Sequence, residues 1–274
     1  MTGTLYLVGT PIGNLGDMSD RARSTLASVK LVAAEDTRRS GRLLAHFGIE
    51  AKTVSLFEAN ERRRTEELLD TLRSGNDVAV ITDAGMPALS DPGFRLVRAC
   101  VAEGIDVRVV PGPSAAVSAL VVSGLSTDRF VFEGFLPRRV GPRRARLRTL
   151  AKDPRTVVLY ESPNRVARLL REVLEELGDR RAAVVRELTK LHEEVVRGRA
   201  SEVLARFEDA SPRGELVVVL EGAGEPEEPD MERLVREARA LVADGMRRRE
   251  AATEVARRRG GSANAVYRAL LRHS

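Results

Sequence analysis

The run DVAVITDAGMPALSDPG, residues 77–93, decides how this chain reads. Its opening, DVAVI, is short and apolar, as a buried strand should be. The remainder holds Gly85 and Gly93, Pro87 and Pro92, Asp83 and Asp91, which is more turn chemistry than a plain strand-to-helix connection needs. A stretch with helical spacing, 94–103, follows. Strand, elaborate loop and helix in that order form the unit of an α/β protein, in which ligands bind beyond the carboxyl ends of the strands.

The same unit recurs on either side. Strands are expected at 4–8, 30–35, 51–57 and 106–110. Helices are expected at 19–29, 38–47, 61–73 and 115–123. Ser19, Asp36 or Thr37, and Asn60 stand where N-caps belong, and Gly48 and Gly75 where helices stop. This alternation predicts a mostly parallel sheet covered by helices.

From about Asp128 the pattern changes. Strand-like runs at 129–136, 156–161, 182–187, 193–198 and 214–222 surround one helix at 164–177, which predicts a mixed sheet. Residues 137–148, PRRVGPRRARLR, read as a basic loop. GAGEPEEPD (222–230) reads as an exposed acidic linker. The tail from Met231 is helical and basic, with a helix, Gly-Gly turn, helix pattern over 245–272 that resembles a small helix-turn-helix. The expected boundaries are therefore 1–125, 126–224 and 225–274.

Composition bounds the function. The chain has 274 residues, 43% hydrophobic and 31% charged, which suits a globular protein with a real core. No apolar run approaches the roughly 20 residues of a membrane helix. The N-terminus lacks the basic and apolar regions of a signal peptide, so a cytoplasmic location is expected. Cys100 is the single cysteine, which excludes an internal disulfide and a cysteine-based zinc cluster. No metal-ligand spacing appears. The net charge of +5 is compatible with a polyanionic partner. Aromatic residues are 4% and tryptophan is absent, so a base-stacking platform of the single-strand-binding type is poorly supported.

Three loops at expected strand ends stand out: VGTPIGNLGD (8–17), TDAGMPALSDPG (82–93) and VPGPSAA (110–116). Glycine permits close approach and proline stiffens, so together they predict a preformed pocket. None carries the G-x-x-x-x-G-K-[ST] or G-x-G-x-x-G pattern of a phosphate cradle. Asp83 and Asp91 would repel a triphosphate unless Mg²⁺ intervened. A ligand with ammonium and hydroxyl groups suits them better, and S-adenosylmethionine has both. The two aspartates either face that ligand or hold the loop through side-chain to backbone hydrogen bonds.

LYLVGTPIGNLGDMSDRA, VAAEDTRRSGRLLAHFGI, AVITDAGMPALSDPG, VVPGPSAAVSAL, FEGFLPRR, VLYESPNRV and RELTKLHEE together resemble, in order and spacing, the small-subunit ribosomal RNA methyltransferases of the tetrapyrrole-methylase-like superfamily. The resemblance runs from about Leu5 to Glu221. It implies a two-domain class III methyltransferase fold with the cofactor between the domains, usually as a homodimer. The N-terminal domain would lie on the RNA side, and the C-terminal domain would complete the cofactor cleft. It implies methyl transfer from S-adenosylmethionine to the ribose 2'-hydroxyl of a cytidine in the decoding region of 16S rRNA, free or in the small subunit. Carried over by motif, the cofactor pocket takes Thr10, Pro11, Asp83, Ala84, Gly85, Pro87, Ser90, Asp91, Ser114, Ala115 and Tyr160. Two alternatives remain: a small-molecule methyltransferase acting on tetrapyrrole precursors, and a non-enzymatic RNA-binding protein.

A 2'-hydroxyl needs placement and help with its proton. Lys190, Glu61, Asp36 and Asn60 are the candidates. Lys190 is one of four lysines among 45 basic residues, and lysine can exchange a proton where arginine cannot; the alternative is a surface lysine. Asp36 and Asn60 also fit as helix caps. Arg38 and Arg39 are candidates for backbone phosphate. So are Arg138, Arg139, Arg143 and Arg144 in the basic segment, which has almost no acidic residue of its own. His46 reads as a helix-end residue and Cys100 as a small buried one.

Overall fold

A computed structural model describes residues 2–208, 214–224, 231–259 and 262–272. The first half alternates β1 (Leu5–Val8), α1 (Asp20–Ser28), β2 (Leu31–Ala34), α2 (Thr37–His46), β3 (Thr53–Ser55), α3 (Glu61–Arg73), β4 (Val78–Ile81), α4 (Phe94–Ala102), β5 (Val107–Val110) and α5 (Ala115–Ser123). All five strands are parallel, in the order β3-β2-β4-β1-β5, with Leu5 in register with both Val78 and Val107. β4, β1 and β5 are neighbours, so the three Gly/Pro loops that follow them emerge side by side.

Both faces of this sheet are covered. α1 and α2 bury Ala22, Leu26 and Leu44 with Val32, Ala34, Ala79 and Ile81. α3 and α4 bury Leu68, Leu69, Leu72, Leu96 and Cys100 with Leu5, Ala33, Val78 and Val80. Strands buried on both faces must be apolar throughout, which is why VAVI and LVAA show no alternation.

The second half holds β6 (Phe130–Phe135), α6 (Val140–Leu150), β7 (Thr156–Glu161), α7 (Val166–Leu177), β8 (Arg181–Arg186), β9 (Glu194–Arg199), α8 (Ala200–Phe207) and β10 (Leu216–Leu220). Its sheet has the order β6-β7-β10-β8-β9, with only β6 and β7 parallel. The expected mixed sheet is observed. Alternate residues of β10 serve two cores. Leu216, Val218 and Leu220 face α6, α7 and α8. Val217 and Val219 face Ala116, Ala119 and Leu120 of α5. α5 therefore leaves the first sheet and covers the second.

Two expectations are corrected. The basic segment is not a loop from end to end, because Val140–Leu150 is helix α6. Its buried stripe is Arg143, Leu147 and Leu150, so an arginine occupies the first core position and hides the helical pattern. Pro142 falls in the first turn, where a missing N–H costs nothing. Helix α8 was also unforeseen, although Ala200, Val203, Leu204 and Phe207 carry the i, i+3, i+4, i+7 stripe.

A second compact unit comprises residues 152–154 and the tail from 222. Its helices α9 (Met231–Ala243), α10 (Arg248–Arg259) and α11 (Ala263–Arg272) enclose their own core of Leu234, Val235, Ala251, Val255, Val266 and Leu270. The acidic part of the expected linker (225–230) and the Gly-Gly turn (260–261) lie outside the described residues. Among the described residues no helix is long and apolar enough to cross a membrane.

Candidate active site

The loops after β1 and β4 are stitched directly together. Thr10 and Gly85 exchange backbone hydrogen bonds, N to O, of 2.9 and 3.1 Å. The Thr10 hydroxyl, fully buried, donates to the Thr82 carbonyl at 3.1 Å. The loop after β5 lies against the loop after β1 through glycine backbones. A Cβ on Gly9 would fall 2.6 Å from the Gly112 Cα, closer than side chains permit. Ala88 and Ser90 hold positive φ of 66° and 65°, a strained conformation for residues with a Cβ. The expected preformed, stiff pocket is what these contacts build.

The loops form one wall of a cleft of about 400 Å³. Asp83, Ala84, Gly85, Asp91, Ser114 and Ala115 line it, as expected, and Tyr160 lines it from the second sheet. Thr10, Pro11 and Pro87 do not; they are buried among the loops and hold them in place. Ser90 is also absent from the lining and is exposed. Its Oγ packs against Gly134 at the irregular pairing of β6, where a Cβ would fall 2.8 Å away. Sequence reasoning missed Ile12, Phe135, Leu188 and the 214–217 segment. The second-sheet residues have no local signature, because they reach the cleft only through the packing of the two sheets.

Charge is concentrated at the ends of β2 and β4. The Glu35 carboxylate accepts from the Thr82 hydroxyl at 2.6 Å and from the Asp83 N–H at 3.3 Å. Asp83 accepts from the Asp36 N–H at 3.2 Å and pairs with Arg39 at 3.0 Å. It therefore holds the loops while also lining the cleft. Burial and then the Glu35 charge raise the pKa of Asp83 against the pull of Arg39. Burial, followed by Glu35, pushes Asp91 up to about 6. Burial also raises Tyr160, whose ring packs edge-on to Phe132 at 4.9 Å. The Ser114 hydroxyl heads α5 without capping it and has no hydrogen-bond partner, although it is buried. A buried, unsatisfied hydroxyl beside carboxylates and small residues fits a ligand with amine and hydroxyl groups on an apolar frame.

Three of the four proton-handling candidates are occupied with structural tasks. Asp36 caps α2 by accepting from the Arg38 N–H at 2.9 Å. It also pairs with the Arg38 side chain, which holds its carboxyl well below the usual carboxylate range. Asn60 precedes α3 without capping it. It accepts from the Phe57 N–H at 2.8 Å and donates to the Ser55 carbonyl at 3.1 Å, which fixes the turn. Glu61 accepts from the Gly93 and Arg95 N–H groups at 3.0 and 3.3 Å and so caps α4 from outside.

Lys190 bonds Glu187 at 2.9 Å and Glu215 at 3.2 Å. Burial would lower its pKa, but the two carboxylates outweigh burial and raise it. The lysine is therefore held charged, and its stem lies against Gly13.

The phosphate candidates divide. Arg143 is corrected: it is buried, with its guanidinium on Glu172, and is closed to RNA. Arg144 pairs with Glu175 and Glu176 of α7. The acidic partners that the basic segment lacks in sequence are supplied by the neighbouring helix. Arg38 and Arg39 pair with Asp36 and Asp83. Arg138 and Arg139 are exposed, with no ion pair among the described residues. Cys100 is fully buried, and burial pushes its thiol up to about 11. His46 ends α2.

Comparison with known proteins gives a consistent result. The model of the tetrapyrrole (corrin/porphyrin) methylases matches residues 4–204. A Synechocystis protein named ribosomal RNA small subunit methyltransferase I is 46% identical over 257 residues, 93% of this chain and 92% of that protein. A Thermotoga maritima protein of the same name is 50% identical over 220 residues, 80% of this chain and 99% of that protein. A Mycobacterium tuberculosis protein so named is 46% identical over 93% of this chain and 90% of its own length. Among solved structures, a cobalt precorrin-4 methyltransferase superposes with a TM-score of 0.59 at 21% identity, covering 80% of this chain and 94% of its own. Diphthine synthase superposes with a TM-score of 0.60 at 14% identity, covering 80% of this chain and 89% of its own.

Proposed function

The chain belongs to the family of tetrapyrrole (corrin/porphyrin) methylases, and from that premise we propose that it uses S-adenosylmethionine to methylate the ribose 2'-hydroxyl of a cytidine in 16S rRNA. The observation that carries the reading is the cleft itself. Loops from three adjacent parallel strands and the second sheet's Tyr160 enclose it, and Ser114 offers it an unused hydroxyl. The names of relatives at 44–50% identity favour ribosomal RNA over a tetrapyrrole as the acceptor.

S-adenosylmethionine, when bound, supplies a methyl group made electrophilic by its sulfonium sulfur. The chain supplies the rest. Asp83 offers a carboxylate to an ammonium or to sugar hydroxyls. Ala84, Gly85 and Ala115 leave room for close approach. Phe135 and Tyr160 give apolar surface, and the stitched loops hold these groups still, so that binding orders little. Arg138 and Arg139 remain free for phosphate.

The test is methyl transfer from labelled S-adenosylmethionine to isolated small subunits and to free 16S rRNA, with nucleosides identified by mass spectrometry. 2'-O-methylcytidine is expected. Transfer to neither RNA substrate, with transfer to a porphyrinogen, would overturn the reading. We also place the enzyme in the cytoplasm as a homodimer. Exposed Val109 on the edge strand β5 and Val117 and Val121 on α5 support a second copy there. Light scattering showing only monomer at micromolar concentration would count against it.

A further inference from the structure

A second cavity, of about 450 Å³, is lined by Glu61, Phe94, Arg95 and Arg98 among others, and it shares a single residue, Asp91, with the cleft. We infer that this second cavity receives the target nucleotide and that Asp91, common to both walls, takes the proton of the ribose hydroxyl. The inference rests on the methyl-transfer reading above.

The lining is that of a nucleotide site. Phe94 heads α4 with 63% of its surface exposed and offers an aromatic face. Arg98, one turn on, has no ion-pair or hydrogen-bond partner among the described residues. It is thus open to a phosphate, unlike Arg38, Arg39, Arg143 and Arg144, which sit on carboxylates. Arg95 is only loosely paired, 3.8 Å from Glu61, whose other oxygen already accepts from two backbone N–H groups. Stacking on an aromatic ring and cations for phosphate are how single-stranded or splayed RNA is held. The N-terminus of α4 is already capped by Glu61, so the arginine side chains, not the helix end, are the phosphate ligands.

Asp91 is placed for the proton. The groups facing its surroundings are Glu35 and Asp83 at the ends of β2 and β4, Arg39 on α2, Glu61 on α3, and Arg95 and Arg98 on α4. Tyr160 and Glu161 of β7 and Glu215 face the same cleft. With burial and Glu35 raising its pKa to about 6, Asp91 is ionised at neutral pH yet more basic than an ordinary aspartate. The 2'-hydroxyl oxygen attacks the methyl carbon while its proton passes to an Asp91 oxygen. The carbon–sulfur bond breaks with its electron pair remaining on sulfur, so the products are the 2'-methoxy ribose, the neutral thioether and a protonated Asp91.

The experiment uses the full-length protein as wild type, F94A, R98E and D91N, each checked by thermal melting. Retention of isolated small subunits on filters without cofactor, calorimetric affinity for S-adenosylmethionine, and single-turnover methylation are measured. F94A and R98E are expected to weaken subunit retention by about tenfold or more and to leave cofactor affinity unchanged. D91N is expected to retain subunits and to slow single turnover by about a hundredfold. Wild-type retention by both F94A and R98E overturns the nucleotide site. Wild-type single turnover by D91N overturns the proton acceptor. A wild-type protein that transfers nothing to subunits defeats the methyl-transfer reading, and this inference with it.

Discussion

Arg143 and Glu172 meet edge to edge in the core between α6 and α7, Nε to Oε2 at 2.5 Å and Nη2 to Oε1 at 2.6 Å, with 2% and 7% of their side chains exposed. The hydrogen bonds to Glu172 raise the arginine's pKa, and those to Arg143 lower the glutamate's. The third arginine nitrogen donates to the Arg138 carbonyl at 2.9 Å, which ties down the start of the basic segment. Removing one partner leaves a buried charge. R143A should therefore cost about 3–5 kcal/mol in denaturant unfolding. The double variant R143M/E172L, apolar and of similar volume, should recover most of that loss. R143A with a wild-type midpoint and weakened RNA affinity would return Arg143 to the RNA surface.

Asp91 should make both rate and stability depend on pH. Its pKa is raised from the usual 3.8 to about 6, so single-turnover methylation should fall as pH drops through about 6. The sign for stability is the reverse of a salt-bridged carboxylate. Between about 4 and 6 the folded protein binds more protons than the unfolded chain, so this group's contribution to stability falls as pH rises. D91N should then raise stability at pH 8 by about 1 kcal/mol after solvent screening, with no gain at pH 3.5. Melting curves at the two pH values decide it, and equal shifts at both would be the contrary result.

Lys190 should prove to be a strut. Its carboxylate partners keep it protonated, so the alkaline side of the rate profile up to pH 10 should be the same in K190M and wild type. K190M should weaken cofactor binding several-fold, because the segment carrying the positive-φ residues Glu187 and Thr189 loses its tie to Glu215. K190R should restore part of that affinity. Rate profiles and calorimetry are the readouts. A lost alkaline limb in K190M would make the lysine a proton carrier.

The tail should serve RNA and not the cofactor. Its helices enclose a separate core, and exposed Arg247, Arg248 and Arg249 have no ion pair among the described residues. Deleting residues 231–274 should leave S-adenosylmethionine affinity unchanged and weaken subunit binding. The slope of log affinity against log salt should shrink by about one or more. The relative matched over 99% of its length by 80% of this chain shows that a fifth of this sequence has no counterpart there. Full subunit affinity in the truncated protein would contradict the assignment.

Much of this was legible in the chain. Continuous apolar runs, N-cap residues and glycine stops fixed the alternation of strand and helix, because burial and capping are local demands that a sequence meets within a turn or two. The family resemblance likewise marked Asp83, Asp91, Ser114 and Tyr160 as cleft residues. Arginines were misread for a physical reason. Arg143 looks like its neighbours in PRRVGPRRARLR, and only the arrival of α7 puts Glu172 on it and Glu175 and Glu176 on Arg144. Lys190, singled out for rarity, is pinned by Glu215, 25 residues away in the chain. The sequence alone determined which loops are stiff, small and acidic. That β4, β1 and β5 lie side by side, that α5 crosses to the second sheet, and that Asp91 borders two cavities were decided by the tertiary structure. Strand order and the pairs Arg143–Glu172, Arg144–Glu175 and Lys190–Glu215 are non-local: each is set by which surfaces meet, and no short stretch of chain contains both partners.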